Sequence, residues 1–337
     1  MSNRIVLLGN SAGWCGRSWE DLRKKPGCIL INKHFPCDGK ISNLLVRIHY
    51  SKRVNNIVNL PLKKIWYSIF LKNLIQDNDN EMILIVYDGN KLGNDEKFLQ
   101  YLKSRCRNLK MAYIITNEVQ YCIATRNNFY NKLKKYYNIV YGFHIPDKEK
   151  YGIDIIPLVY SRNEILHGQV EKQVFFAGES KSRLPRILSI YRKVKSFGFS
   201  GKIIALHVDE NTIKTIPEND KEIFFNRPVS YDEILKNTQE SAVIIEVPQE
   251  GLQAITIKTC EAVYYNKLLI TTNPLITQMP FYDPRYMLYI ESEDEITEEF
   301  LQRWDHVEYK KNTIDYFSVE TFLSKLFNDL KIQNMNE

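Results

Sequence analysis

The chain has 337 residues, 44% of them hydrophobic and 26% charged, the balance of a soluble protein with real cores and room for two domains. Nothing approaches the roughly 18–20 apolar residues of a membrane span, and Ile5–Leu8 is too short for a signal-peptide core, so the expectation is a cytoplasmic protein. The six cysteines (Cys15, Cys28, Cys37, Cys106, Cys122, Cys260) include no CxxC pair, which argues against a disulfide framework. Cys15, Cys28 and Cys37 lie near His34 and His49, but no spacing fits a zinc-ligand pattern. The net charge of +6 is uneven: residues 1–160 hold 25 Lys+Arg against 13 Asp+Glu, and residues 161–337 hold 21 against 27. Halves of opposite sign suggest two domains with different partners.

In chain order, Ile5–Leu8 is a short apolar run ending at Gly9, and Cys28–Ile31 a second candidate strand. Met82–Tyr87 is a stronger one, closed by the turn signature Asp88-Gly89-Asn90, and Met111–Ile115 ends at Thr116-Asn117-Glu118. Short, wholly apolar runs of this kind suit a parallel sheet covered on both faces. Phe98–Lys103 and Asn127–Tyr136 read as helices, and Tyr137–Val140 and Ile153–Val159 as the last strands of this half. Pro157 and the polar stretch Ser161–Lys172 mark the crossing to a second domain.

The second half repeats the pattern: strand Val174–Ala177, helix Leu184–Phe197, strand Lys202–His207, helix Tyr231–Asn237, strand Ala242–Val247, helix Ala254–Tyr265 and strand Leu268–Thr272. Such βαβα alternation predicts a second doubly wound sheet. The domains expected are 1–165 and 166–315, with 316–337 as a terminal helix crossing back to the first domain. Phe322, Leu323, Leu326, Phe327 and Leu330 give that helix one apolar stripe, and Ser318 is its N-cap.

Ligands of open α/β sheets bind where strands end and helices begin. Val247-Pro248-Gln249-Glu250-Gly251-Leu252, followed by a helix bearing Lys258 and Glu261, has that form. Lys258 and Glu261 share a helical face; a lysine neutralises a diphosphate and a carboxylate accepts ribose hydroxyls. An ordinary strand–loop–helix with a surface ion pair fits the spacing equally well.

Gln249–Leu252, Lys258, Glu261-Ala262 and Asn266–Asn273 together resemble the donor-site region of bacterial GT-B glycosyltransferases that build capsule, lipopolysaccharide and exopolysaccharide. Val174–Gly178 with Lys181 and Arg183, Phe281–Pro284, and the stretch from Tyr137 to Ser161 extend the similarity over residues 137–290. It implies two Rossmann-like domains facing a cleft, an acceptor half first and a nucleotide-sugar half second. By the same resemblance Glu261 holds the donor ribose and Lys258 stands where relatives carry arginine. Gly178, Lys181 and Arg183 meet the diphosphate, and Gln249 and Gly251 line the sugar side. No metal or other cofactor is expected, since cations can neutralise the diphosphate. Position 253, where many retaining relatives have a second glutamate, is Gln253, so retaining and inverting chemistry both stay open.

Three further features stand beside this. Gly9, Gly13 and Gly16 follow the first strand in a GxxxGxxG pattern, either an acceptor-side loop or a plain glycine turn. Asp88 and Glu118, each after a strand, are the candidates for a catalytic base, and turn forming or capping explains them as well. Between Gly39 and Gln76 there is no acidic residue, whereas Lys40, Arg47, Lys52, Arg53, Lys63, Lys64 and Lys72 are interleaved with aliphatic and aromatic side chains. That stretch suits the anionic inner leaflet of a membrane or a solvated basic face; no nucleic-acid motif accompanies it. The partners expected are a nucleotide sugar and a polyprenyl-linked glycan acceptor, with an epimerase on the same scaffold and a non-catalytic binding relative as alternatives.

Overall fold

A computed structural model of the chain describes residues 4–10, 13–33, 35, 39–51, 53–54, 63–74, 82–106, 108–163, 169–217, 220, 224–226 and 228–332. The chain divides into two compact units, Met1–Ile156 with Phe322–Glu337, and Pro157–Thr321. The sequence reading placed these crossings after residues 165 and 315.

The first unit is built on six parallel strands: β1 (Arg4–Leu8), β2 (Cys28–Ile31), β3 (Met82–Tyr87), β4 (Leu109–Ile114), β5 (Ile139–Gly142) and β6 (Asp154–Ile155). Their order in the sheet is β2-β1-β3-β4-β5-β6. Every residue of β1 and β3 is buried, as expected of strands covered on both faces. Helices α1 (Lys40–His49), α2 (Lys63–Leu74), α3 (Glu96–Arg105), α4 (Val119–Thr125), α5 (Phe129–Tyr136) and α6 (Asp147–Tyr151) accompany them. Asp95 caps α3, accepting from the amides of Lys97 at 3.0 Å and Phe98 at 3.3 Å. Val6, Leu84, Val86, Phe98, Leu102 and Tyr113 meet in the core. Ile153–Val159 yields only the two residues of β6, because Pro157 has no N–H to extend the ladder.

The second unit has the strands β7 (Glu171–Glu179), β8 (Ser200–Leu206), β9 (Phe224–Phe225), β10 (Ser241–Glu246), β11 (Leu268–Thr271) and β12 (Met287–Tyr289), with neighbours in the order β9-β8-β7-β10-β11-β12. All pairings are parallel. This is the 3-2-1-4-5-6 order of dinucleotide folds, with its switch point between β7 and β10. The helices are α7 (Leu184–Ser196), α8 (Glu210–Thr215), α9 (Tyr231–Glu240), α10 (Ile257–Tyr264), α11 (Glu298–Leu301) and α12 (Lys311–Asp315). The helix read as Ala254–Tyr265 begins three residues later, because Thr256 caps it through the Lys258 amide at 3.1 Å.

The last helix, α13 (Val319–Leu330), starts behind Ser318, whose hydroxyl accepts from the Thr321 amide at 3.1 Å. Its Phe322 stands edge-on to Trp19 at 5.0 Å and to Tyr141 at 5.7 Å, and Tyr141 Oη donates to Asp329 at 2.7 Å. Among the described residues no helix is long and apolar enough to cross a membrane.

Candidate functional site

In the second unit the loops after β7 and β10 flank the switch point. Arg183 ties them together: its guanidinium donates to the carbonyls of Val247 and Glu179, and its Nε to Ser180 O at 3.3 Å. Burial pulls its pKa down, while the nearby Glu179 opposes that fall. Three of its five N–H groups are therefore engaged with backbone, which makes Arg183 first a brace between the two loops. Gly178 is the penultimate residue of β7, and the side chain of Lys181 lies outside the described residues. Between them sits Ser180, fully buried, with a hydroxyl that has no hydrogen-bond partner. Buried hydroxyls are rarely left unpaired, so this one stands out among the described residues at the end of β7. The signal available in the sequence was a small hydroxyl two residues after Gly178, where the apolar strand gives way to the helix.

After β10 the chain turns sharply, with the Leu252 amide donating to Gln249 O at 3.1 Å and Gly251 at φ +79°. A side chain at 251 would find open space, so glycine is required there by the backbone. Gln249 and Gly251 are both exposed at this turn. Under it Glu246, buried at the end of β10, accepts from the hydroxyls of Thr256, Thr259 and Thr271. One carboxylate thus joins β10, the cap and first turn of α10, and β11. It was missed because a single acid closing an apolar strand carries no periodic signal, and its partners lie 10 to 25 residues downstream.

Lys258 and Glu261 do share a face of α10, but the pair is buried: Lys258 Nζ lies 2.6 Å from Glu261 Oε2, with side-chain exposures of 11% and 0%. The surface ion pair considered from spacing alone is therefore corrected. Tyr231 Oη donates to Glu261 Oε1 at 2.9 Å, and Lys258 Nζ lies 5.6 Å from the Phe175 ring centre. Tyr160 is 3.4 Å from both Tyr231 and Tyr265, whose hydroxyl donates to Asn163 O at 2.7 Å. Burial, reinforced by the charge of Glu261, pushes the Tyr231 and Tyr160 phenols far up, so they act as neutral donors.

In the first unit the switch point lies between β1 and β3. Asn90 Nδ2 donates to Gly9 O at 2.9 Å and Asn10 Nδ2 to Asp88 O at 3.5 Å, joining the loops after these strands. Gly9 is a packing glycine: a Cβ there would stand 2.3 Å from Asn32 Oδ1. Gly13 is at φ +50° in open space, and Ser11 and Ala12 lie outside the described residues.

The two acidic candidates part company. Asp88 is buried and its carboxylate accepts from Arg126 at 2.5 and 3.1 Å, Tyr113 Oη at 2.8 Å, Thr116 Oγ1 at 3.2 Å and the Gly89 amide at 2.9 Å. With its lone pairs taken it holds β3, β4 and the end of α4 together. Glu118 stands before α4, with 43% of its side chain exposed and Oε1 3.8 Å from His144 Nε2. His144 Nδ1 is 3.5 Å from Asp147 Oδ1, and Asp147 is buried and caps α4 through the Val119 amide at 3.0 Å. His144 and Asp147 were not foreseen, since they reach Glu118 from the next strand–helix connection. His34 lies outside the described residues, and His49 is the acceptor for Trp66 Nε1 at 2.6 Å.

The sequence matches no protein-family model, and no curated protein is significantly similar to it. Solved structures do resemble it. An α-glucosyltransferase in complex with UDP-glucose and DNA containing an abasic site aligns at TM-score 0.57 and 10% identity over 97% of this chain and 98% of that one. OtsA in its apo form aligns at 0.54 and 13%, over 98% of this chain and 100% of that one. The α,α-trehalose 6-phosphate synthase from Burkholderia multivorans aligns at 0.51 and 13%, over 98% of each. Against TarM the chain spans 57% of the other's length, at 16% identity and TM-score 0.47. At identities this low the likeness is one of fold. Two parallel-sheet α/β units, with the likeness to the α-glucosyltransferase and OtsA, give the chain the GT-B fold, with two Rossmann-like domains in one polypeptide.

Proposed function

We propose that the protein is a glycosyltransferase that takes its donor, a nucleotide-diphosphate sugar, at the β7/β10 switch point of the second unit. The observation that carries this is the convergence of the unpartnered Ser180 hydroxyl, the Gly251 turn and the buried Glu261 carboxylate around one pair of strand ends. In the reaction the bond between the anomeric carbon and the diphosphate oxygen breaks and the nucleoside diphosphate leaves. An acceptor hydroxyl forms the new bond to that carbon and loses its proton. Backbone amides of the two loops meet the diphosphate, and Glu261 accepts the ribose hydroxyls. Lys258, engaged by Glu261, orients the carboxylate and lends part of its charge. No metal is required for these contacts.

The acceptor is a growing, lipid-linked bacterial surface glycan, a reading supported by the likeness of Gln249–Asn273 to surface-polysaccharide transferases. Where the transfer inverts, Glu118 backed by His144 and Asp147 is the base, since 43% of its side chain is exposed and the Asp88 carboxylate is engaged by Arg126, Tyr113 and Thr116. A transferase couples release of nucleoside diphosphate to acceptor glycosylation. Incubation with UDP, dTDP and GDP sugars plus a lipid-linked glycan extract, read by mass spectrometry, tests this. Product with a mass increment of one sugar is the expected result; turnover of donor alone into an isomer identifies an epimerase and refutes transfer.

A further inference from the structure

Helix α1 is amphipathic, yet it turns its apolar stripe outward. Ile41, Leu44, Leu45 and Ile48, spaced 0, 3, 4 and 7, are 75%, 60%, 49% and 41% exposed. A stripe with this spacing ordinarily faces the core. Here the one buried residue of the helix is Val46, on the opposite side, where His49 accepts from Trp66 and Tyr50 meets Phe35 at 4.5 Å. The inward face is thus already fixed, and among the described residues nothing packs over the aliphatic face. Lys40 and Arg47, both exposed, run along one edge of the stripe on the helical projection, and an open hollow of about 520 Å³ is lined by Gly39, Lys40, Asn43, Leu44 and Arg47. Next to it α2 buries Trp66, Tyr67 and Phe70 but exposes Ile65, Ile69, Lys64 and Lys72.

We infer that α1 is an interfacial helix that lays its aliphatic face into the surface of an anionic phospholipid bilayer. Charge complementarity selects this occupant. Cations border the aliphatics along one edge, and no acidic residue occurs between Gly39 and Gln76. A second copy of the chain would bring the same cations against each other. A nucleic acid would pair with the cations and leave four aliphatic side chains in water. A bilayer takes both at once, with the stripe among the acyl chains and the lysine and arginine heads at the phosphates. Each cation near such a surface raises affinity about fivefold. The inference places the proposed transferase where lipid-linked acceptors lie, but membrane binding requires no donor, so the two readings fail separately.

The test is co-sedimentation of the full chain with extruded vesicles of phosphatidylcholine, with and without phosphatidylglycerol. The wild-type chain is expected to sediment with the anionic vesicles, less so as salt rises, and to stay in solution with phosphatidylcholine alone. Ile41→Ser/Leu44→Ser/Leu45→Ser/Ile48→Ser should lose binding more than tenfold, and Lys40→Gln/Arg47→Gln about 25-fold, with unchanged circular dichroism and melting. A wild-type chain that remains in solution with anionic vesicles, equal binding to both vesicle types, or a quadruple-serine variant that binds as the parent does would each overturn the inference. So would a wild-type dimer in light scattering that the serine substitutions dissolve, without any vesicle binding.

Discussion

The Lys258–Glu261 pair allows stability and binding to be separated. With Glu261 fully buried and Lys258 nearly so, 2.6 Å apart, removing one partner strands a charge in a poorly solvated site. Glu261→Ala should therefore cost about 3–5 kcal/mol, the range for breaking a buried pair. Lys258→Met/Glu261→Gln removes both charges, retains the shape of position 261 and leaves an acceptor for Tyr231, so its stability should lie within about 1 kcal/mol of the parent. If Glu261 holds the donor ribose, the folded double variant should still bind nucleotide about 10- to 150-fold more weakly, since hydrogen bonds to a charged group contribute about 1.5–3 kcal/mol. Urea unfolding followed by tryptophan fluorescence gives the first quantity and calorimetric titration the second. A Glu261→Ala chain as stable as the parent would refute the buried-pair argument. A folded double variant that binds as the parent does would refute the assignment of Glu261.

Other outcomes follow from the same structure. Lys267 is buried with Nζ donating to Gln239 O at 2.6 Å, and burial pulls its pKa down to about 8. The unfolded chain then binds more protons than the folded one above that pH, so stability should rise by about 2 kcal/mol between about pH 7 and 9.5. Lys267→Met should flatten that rise in urea midpoints; an identical pH profile would contradict it. Asp88→Ala should destabilise by about 3 kcal/mol in urea unfolding, because Arg126 and Tyr113 lose their acceptor. Glu118→Gln should leave stability within about 0.5 kcal/mol yet, if the transfer inverts, slow it about 10²- to 10⁴-fold. Full activity in Glu118→Gln with inverted product would remove Glu118 as base. Gly251→Ala should cost about 1 kcal/mol by calorimetric melting through backbone strain alone, since its side chain meets open space.

The parts of the fold legible in the sequence were those written in local pattern. Wholly apolar runs announced β3, β10 and β11, and Ser318 announced the start of α13. The two-residue β9 and three-residue β12 escaped because such short edge strands have no room for a pattern. Within the site, the loop Gln249–Leu252 and the shared face of Lys258 and Glu261 could be read from spacing, but their burial could not, since Tyr231 and Phe175 come from other elements. Glu246, Ser180 and the His144–Asp147 pair are defined wholly by neighbours distant in the chain. Asp88 was a turn residue in sequence, and only the approach of Arg126, 38 residues on, makes it a fixed brace.

The central claim is that a nucleoside diphosphate binds at the β7/β10 switch point. Hydrogen–deuterium exchange of the intact chain, with and without UDP, dTDP or GDP, tests it most directly. With at least one of these nucleotides, backbone amides in 179–183 and 248–261 should be protected, while those after β1 and β3 stay unchanged. Protection centred on the loops of the first unit, or none with any nucleotide, would contradict the account.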